Sequence, residues 1–424
     1  MNSLDTILGN IKRFIPTVIF NATSPAYHWL MALVAAIWYR FPSRHIKIIA
    51  VTGTKGKSST VEILNAILEQ AGRKTAVSNT IRFKIGNVSR PNLYKMSMPG
   101  RFFAQRFIRE AVDAGCDYLI MEMTSQGSLL NRHRFIDLDA FIFTNISPEH
   151  IEAHGSYENY RDSKLAIAYA LAHSKKKNRT LIVNTDDQES PLFLEVPADR
   201  KLTFSIKDAE PYTIGRYGLE LTLAGRKVAS PLSGLFNLYN ILAAVTAARG
   251  QGIPDEQIIK AIEKFADIPG RVEKIQVGQN FDVIVDYAHT ADSLEKFYTV
   301  FKSTRNICVL GGTGGGRDTW KRSEMGRIAD AHCAEIILTD EDPYDEDPRQ
   351  IIDQVAAGIK NHKPHIIMDR RQAIAEAIKL ARPGDSVLIT GKGTDPYIMG
   401  PKGTKIPWSD ADIARDEIAK NLKV

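Results

Sequence analysis

The run Gly53-Thr54-Lys55-Gly56-Lys57-Ser58-Ser59 combines residue types suited to one task, the holding of phosphate. Glycines in a tight turn let backbone N–H groups close around anionic oxygens, and a helix starting at the turn adds the positive end of its dipole. Lys57 brings an ammonium to the phosphates, and the Ser58 hydroxyl is a ligand for Mg²⁺. A tight turn without a ligand would account for the glycines, but not for Gly-Lys-Ser-Ser at a strand-to-helix junction. The stretch reads as a nucleotide site. Two further clusters carry candidate metal ligands, Glu122-Met123-Thr124-Ser125 and Thr144-Asn145-Ile146-Ser147-Pro148-Glu149-His150. A carboxylate and an imidazole at neighbouring strand ends can each hold a Mg²⁺ near the phosphates. Taken singly, Glu122 has the ordinary alternative of a salt-bridge partner, and His150 that of a helix cap.

The elements that must position these side chains are legible as short apolar runs alternating with helical patterns. Residues 46–51 are apolar and β-branched and predict a buried parallel strand, and residues 60–68 repeat apolar side chains at helical spacing before Gly72. Residues 118–121, 140–143 and 180–183 predict further strands, with helices over 101–114 and 157–172. The alternation implies an α/β fold with a mostly parallel sheet covered by helices, and the clusters fall at strand ends, where open sheets place ligands. Residues 200–232 suggest a small antiparallel extension, and Asp267-Ile268-Pro269-Gly270 a hinge. Beyond it, strands are predicted over 282–286, 306–310, 335–339 and 386–390, so a second, Rossmann-like doubly wound unit is expected. The expected division is 1–45, 46–269 and 270–424.

Composition bounds the rest. A chain of 424 residues with 44% hydrophobic and 25% charged content is an ordinary globular protein of two or three domains. Its net charge of +6 is spread along the chain, which suits small anionic substrates and requires no nucleic acid. Cys116, Cys308 and Cys333 are scattered, which argues against a disulfide framework or zinc site and for a reducing compartment. Residues 14–41 are strongly apolar, yet the clean run 29–39 is too short to span a bilayer. They are expected to form a helix packed on the first domain; the alternative is an interfacial helix giving peripheral membrane contact.

The ordered motifs resemble the Mur ligases. Besides the phosphate loop and the two clusters, the series contains His154-Gly155, Tyr160-Arg161-Asp162-Ser163-Lys164, Gly234-Leu235-Phe236-Asn237-Leu238-Tyr239-Asn240 and Gly270-Arg271-Val272-Glu273. It continues with Asp286-Tyr287-Ala288-His289-Thr290, Arg317-Asp318-Thr319-Trp320-Lys321-Arg322 and Asp342-Pro343. The similarity covers residues 46–424 and is nearest to the MurE type, the UDP-N-acetylmuramoyl-tripeptide synthetases. What it implies is a P-loop ATPase domain followed by a Rossmann-like domain, and an ATP-dependent amide ligase acting through an acyl phosphate. It implies ATP held by Gly53, Thr54, Lys55, Gly56, Lys57, Ser58 and Ser59, and two Mg²⁺ ions held by Ser58, Glu122, His150 and a carbamylated Lys164. A surface lysine on an amphipathic helix is the alternative for Lys164. Asn237 and Asn240 would meet adenine, Arg271 and Asp286 the phosphates and ribose, and Lys321 and Arg322 the phosphates after closure. Ser97, Ser125 and Arg132 fall where the muramoyl-dipeptide is held, and Asp342, Tyr344 and Asp395 on the side of the incoming amino acid.

Three departures shape the expectation. About 45 apolar residues precede the first strand, where MurE-type ligases have a whole domain recognising UDP, so that domain is expected to be truncated or absent and a lipid-linked acceptor enters as an alternative. In place of the Asn-Pro-Arg of diaminopimelate-adding members stands Asp342-Pro343-Tyr344 within an acidic run, which suits a terminal ammonium, as on lysine, better than a distal carboxylate. An exposed acidic helix start is the plain alternative. Gly391-Lys392-Gly393-Thr394-Asp395 departs in the same direction. A cytoplasmic monomer, at the inner membrane face if residues 14–41 touch lipid, is the expected form. Folate-type polyglutamylation and a nucleotide-binding scaffold without turnover are the competing readings.

Overall fold

A computed structural model describes residues 17–149, 151–316 and 319–422. The first sheet is built from β1 (Lys47–Thr52), β2 (Thr75–Ser78), β3 (Arg82–Ile85), β4 (Val88–Pro91), β5 (Tyr118–Glu122), β6 (Ala140–Phe143), β7 (Thr180–Asn184) and β8 (Arg200–Phe204). Their order is β4-β3-β2-β5-β1-β6-β7-β8. All pairings are parallel except those of β2 with β3 and β3 with β4. Successive residues of β1 face opposite sides. Ile49 and Val51 pack with the helices Lys57–Gln70 and Leu235–Gly250 through Val61, Leu64, Ile241 and Leu242. Ile48 and Ala50 face the other way, toward Phe107, Ile108, Ile167 and Leu171 on the helices Arg101–Asp113 and Tyr157–Ala172. Burial on both faces explains why these strands are continuous apolar runs.

Residues 200–232 differ from expectation in one respect. The strand β8 extends the main sheet, pairing parallel with β7, and only β9 (Thr213–Gly215), β10 (Gly218–Leu223) and β11 (Arg226–Ser230) form the antiparallel appendage. Gly270 has φ +62°, and a Cβ there would lie 2.5 Å from the Thr394 backbone nitrogen, so the turn at this position requires glycine.

The second sheet contains β12 (Glu273–Lys274), β13 (Asp282–Asp286), β14 (Asn306–Leu310), β15 (Glu335–Leu338), β16 (His365–Ile366) and β17 (Ser386–Thr390) in the order β12-β13-β17-β14-β15-β16. Only β12 runs antiparallel. Helices cover both faces: Leu294, Phe297 and Met325 pack on one, Ile374, Ile378 and Ile418 on the other. A small hairpin, β18 (Tyr397–Met399) with β19 (Lys405–Pro407), follows. Cys308 on β14 and Cys333, just after the helix Trp320–His332, are disulfide-bonded with Cα atoms 6.0 Å apart. The scattered spacing of the cysteines therefore misleads, because the fold brings two of them together across a strand-to-helix layer; Cys116 is free and buried.

The helix Thr17–Trp38 packs on Arg101–Asp113, burying Ala32, Ala35 and Ala36. Among the described residues no helix is long and apolar enough to cross a membrane.

Candidate active site

The phosphate-type loop leaves β1, the strand flanked by β5 and β6, so the ends of both neighbours stand beside it. Gly53 has φ +155°, and a Cβ there would meet Thr144 Oγ1 at 1.9 Å. At Gly56 (φ +81°) a Cβ would meet Asn240 Oδ1 at 2.1 Å. Glycine is thus demanded by close approach of the β6 end on one side and the helix Leu235–Gly250 on the other. Thr144 Oγ1 donates to the Lys55 carbonyl (2.8 Å), and the Lys55 amide donates to Asn145 Oδ1 (3.0 Å). The Ser147 amide donates to Thr54 Oγ1 at 3.0 Å, which also lies 3.0 Å from the Tyr160 hydroxyl.

Three ammonium groups converge on this loop. Lys57 Nζ donates to the carbonyls of Gly53 (3.1 Å) and Thr54 (2.9 Å). Lys164 Nζ donates to the Gly53 carbonyl at 2.6 Å and sits 4.7 Å from the centre of the Tyr160 ring. Lys55 pairs with Glu149 at 2.6 Å and donates to Thr290 Oγ1 at 3.1 Å. Burial, reinforced by Lys57 and only partly opposed by Glu149 and Glu122, pulls the Lys164 pKa well below the ordinary lysine range. Lys57 is shifted the same way, chiefly by burial. Glu149 balances Lys55, and burial disfavours the charge on Lys57 and Lys164, so an anion arriving at the loop amides would favour the charged form of these lysines, which is the character of an anion site.

Ser58 Oγ donates to Glu122 Oε2 at 2.7 Å, and Thr80 donates through its amide (3.2 Å) and hydroxyl (3.1 Å). Burial opposes ionisation of Glu122, but Lys57 and these donors outweigh it and lower its pKa, so the group is a carboxylate at neutral pH. Ser58 and Glu122 offer only oxygen, the donor set a hard cation takes. Among the described residues no three His, Cys, Asp or Glu side chains converge as a ready-made cage. This fits Mg²⁺, which usually takes one or two protein oxygens and fills its octahedron with phosphate and water. His150 lies outside the described residues.

Beside the loop, Asn240 Nδ2 donates to Asn237 Oδ1 (3.1 Å), and Asn237 Nδ2 to the Ser233 carbonyl (2.8 Å). Asp286 accepts the amides of Val272 (2.8 Å) and Ala288 (2.7 Å), so both carboxylate oxygens are spent on bracing the turn that carries Arg271. The Arg271 guanidinium stacks 4.3 Å above the Tyr287 ring. Arg322 is buried within the C-terminal half, bonded to Gln354 (2.6 Å), the Thr313 carbonyl (3.0 Å) and Glu346 (2.8 Å). Its neighbour Lys321 stands 5.6 Å from the Trp320 ring.

On the acceptor side, Ser97 Oγ is 2.8 Å from Thr80 Oγ1 and so belongs to the Glu122 network. Ser125 is buried at the start of the helix Ser125–Leu129. The half-buried Arg132 holds the Met98 carbonyl, steadying the segment that carries Lys95. Lys95 (φ +54°) reaches from the first half of the molecule to the second, with its ammonium 2.8 Å from Asp342 and 2.9 Å from Asp395. The fully buried Lys392 ammonium lies 2.8 Å from Asp342 and 3.4 Å from Asp395. Burial opposes the Asp342 charge, but the two lysines overcome it and depress its pKa. The acidic run divides by function: Asp342 faces inward, while Asp347 caps the helix Pro348–Ala356. Tyr344 (φ +53°) is half-buried, its backbone amide donating to the Met399 carbonyl at 3.0 Å. Glu341 is buried against Gly391, and burial, augmented by Asp342 and opposed by Arg370 and Lys392, pushes its pKa up to about 7.

Residues 51–248 match the profile of the Mur ligase middle domain, and residues 270–393 that of the Mur ligase glutamate ligase domain. Over 416 residues the chain is 34% identical to a UDP-N-acetylmuramoyl-L-alanyl-D-glutamate–2,6-diaminopimelate ligase of Syntrophomonas wolfei, covering 95% of this chain and 84% of that one. The chain belongs to the Mur ligase family. Such enzymes are ATP-dependent amide ligases of peptidoglycan synthesis. A UDP-N-acetylmuramyl-tripeptide synthetase of a Roseiflexus species is 35% identical over 418 residues, with 92% of this chain and 82% of that one covered. A solved diaminopimelate-adding ligase, 28% identical, superposes with a TM-score of 0.61 over 89% of this Mur ligase and 79% of that chain. The fold alone is shared with folylpolyglutamate synthase of Mycobacterium tuberculosis, at 14% identity, a TM-score of 0.67 and 86% and 92% coverage.

Thr80, Glu149, Tyr160, Thr290, Glu341, Lys95 and Lys392 also line this Mur ligase site without having been singled out as candidates. Glu149, Tyr160, Thr290, Glu341 and Lys392 stand inside quoted motifs or beside them, which was the available signal. Thr80 and Lys95 lie on loops with no local pattern.

Proposed function

We propose that this Mur ligase adds an amino acid bearing a terminal ammonium, lysine or ornithine, as the third residue on UDP-N-acetylmuramoyl-dipeptide. A carboxylate oxygen of the dipeptide attacks the γ-phosphorus of ATP, the bond to the β-bridging oxygen breaks, and ADP leaves. The α-amine of the incoming amino acid then attacks the acyl carbon, and the tetrahedral intermediate expels phosphate as the amine loses its proton. In this reading the loop amides and Lys57 hold the β- and γ-phosphates, which develop charge during transfer. Ser58 and Glu122 would hold Mg²⁺, which when bound would supply Lewis-acid neutralisation of anionic oxygen. Burial lowers the Lys164 pKa and so favours the neutral amine that carbamylation needs; that amine would attack CO₂, lose a proton and become a carbamate anion. That anion would serve as a support for the second metal, with His150. Arg271, braced by Asp286, offers a guanidinium to the nucleotide.

One observation carries the choice of amino acid. The Asp342–Asp395 pair already binds a primary ammonium, that of Lys95, at 2.8 and 2.9 Å. An incoming alkylammonium could replace that of Lys95 between the two carboxylates, whereas Tyr344 offers a distal carboxylate no guanidinium. Relatives named for diaminopimelate set the contrary expectation, so the test is a competition. ADP release with UDP-muramoyl-dipeptide should be much faster with lysine or ornithine than with diaminopimelate; a faster rate with diaminopimelate overturns this reading.

A further inference from the structure

The helix Thr17–Trp38 contains no charged residue, and it is apolar on two opposite faces. One face packs inward through Ala32, Ala35 and Ala36, and Arg109 clamps the end by donating to the Tyr39 carbonyl at 3.0 Å. On the opposite face, Tyr27, Leu30, Val34, Ile37 and Trp38 recur at helical spacing and point into solvent, Ile37 at 56% and Trp38 at 73% exposure. Soluble monomers seldom leave a contiguous strip of large apolar side chains open.

Charge decides what covers it. From residue 6 to residue 61 the sequence contains no Asp or Glu, while Lys12 and Arg13 precede the helix and Arg40, Arg44 and Lys47 follow it. Arg40, Arg44 and Lys47 are exposed; Lys12 and Arg13 lie outside the described residues. Arg44 makes a loose 3.4 Å pair with Asp137, and the nearest carboxylates of the supporting helix, Glu110 and Asp113, lie 3.5 Å from Arg106 and Arg109. Among the described residues the strip offers no carboxylate or amide to a protein partner, only aromatic and aliphatic groups, with the cations Arg40, Arg44 and Lys47 following its C-terminal end. That is the pattern of an in-plane helix on an anionic bilayer, with Trp and Tyr at headgroup depth and basic side chains on lipid phosphates. No described helix is long and apolar enough to cross a bilayer, so contact of this helix with one would be in-plane.

We propose that the helix Thr17–Trp38 docks this enzyme on an anionic membrane surface, apolar strip inward, as a peripheral protein. The inference is independent of which amino acid or acceptor the active site takes. The test is flotation of the purified full chain with phosphatidylcholine vesicles, with and without phosphatidylglycerol, at low and high salt. The wild type should float with the anionic vesicles only, salt should release it, and its tryptophan emission should shift to the blue. The triple variant Leu30→Asn/Val34→Asn/Ile37→Asn and the charge variant Arg40→Glu/Arg44→Glu should each bind at least about tenfold less, with thermal midpoints unchanged. Absence of flotation by the wild type overturns the proposal, as does flotation of the triple variant at the wild-type level. A concentration-dependent dimer that the triple variant abolishes, without lipid binding, overturns it in favour of self-association.

Discussion

Lys95→Met is the perturbation that separates a binding site from a mere structural clamp. In the wild type, two ammonium groups and two carboxylates balance, with Lys95 at 2.8 and 2.9 Å from Asp342 and Asp395 and Lys392 at 2.8 and 3.4 Å. Removing one member of a buried pair typically costs about 3–5 kcal/mol because the other charge is stranded. Here the Lys95 side chain keeps 16% exposure and Lys392 still serves both carboxylates, so the loss should be smaller, about 1–3 kcal/mol. Thermal unfolding should therefore show a midpoint several degrees lower in the variant. The variant also leaves excess negative charge where an incoming ammonium would sit. Free lysine should thus raise the variant midpoint more than that of the wild type, and the KM for lysine should fall. Norleucine, which has the chain without the ammonium, should do neither. If lysine stabilises both proteins equally, or diaminopimelate rescues better than lysine, the site reasoning is refuted.

Other outcomes follow from the phosphate side. Lys57→Ala should reduce acceptor-dependent ADP release by about 10²–10³ in kcat, since one fixed charge at the transferring phosphate is lost; release at the wild-type rate would disprove the phosphate assignment. In the protein stripped of CO₂, where Lys164 is a free amine, its folded pKa lies well below its unfolded value, so the unfolded chain binds more protons and stability rises with pH between the folded pKa and about 10.5. Midpoints of Lys164→Met measured across that window should rise less steeply than those of the wild type. Glu341 has the opposite sign: with its pKa raised to about 7, stability falls as pH increases from about 4.5 to 7, by about 3 kcal/mol at most. Glu341→Gln should flatten that fall in denaturant titrations at several pH values.

Much of this was readable because of burial on both faces. The strands β1, β5, β6, β7, β13, β14, β15 and β17 lie beneath helices on each side, so their apolar runs announce them. By contrast β4 is exposed along its whole length and contains Pro91, and β3 alternates without a strong apolar signal, so neither was legible. Gly53, Lys57, Ser58 and Glu122 were legible as chemistry because strand ends and glycines mark them. Lys95 was not, since its meaning arises only where a loop from the first half meets the ends of β15 and β17. Arg322 shows the converse: a motif position names the residue, but Gln354, Thr313 and Glu346 decide where its guanidinium points. The Cys308–Cys333 bond is likewise a product of layer packing, invisible in a spacing of 25 residues.

The central claim, that phosphate moves to an acceptor carboxylate at the loop shared by Lys57, Glu122 and Lys164, has a direct isotopic test. Acceptor dipeptide labelled with ¹⁸O in its free α- and γ-carboxylates is turned over with ATP and lysine, and the released phosphate is weighed by mass spectrometry. One labelled oxygen per phosphate is the predicted result, because the carboxylate oxygen leaves with phosphorus. Phosphate without the label would mean that water, not the acceptor, attacks ATP, and would contradict the account.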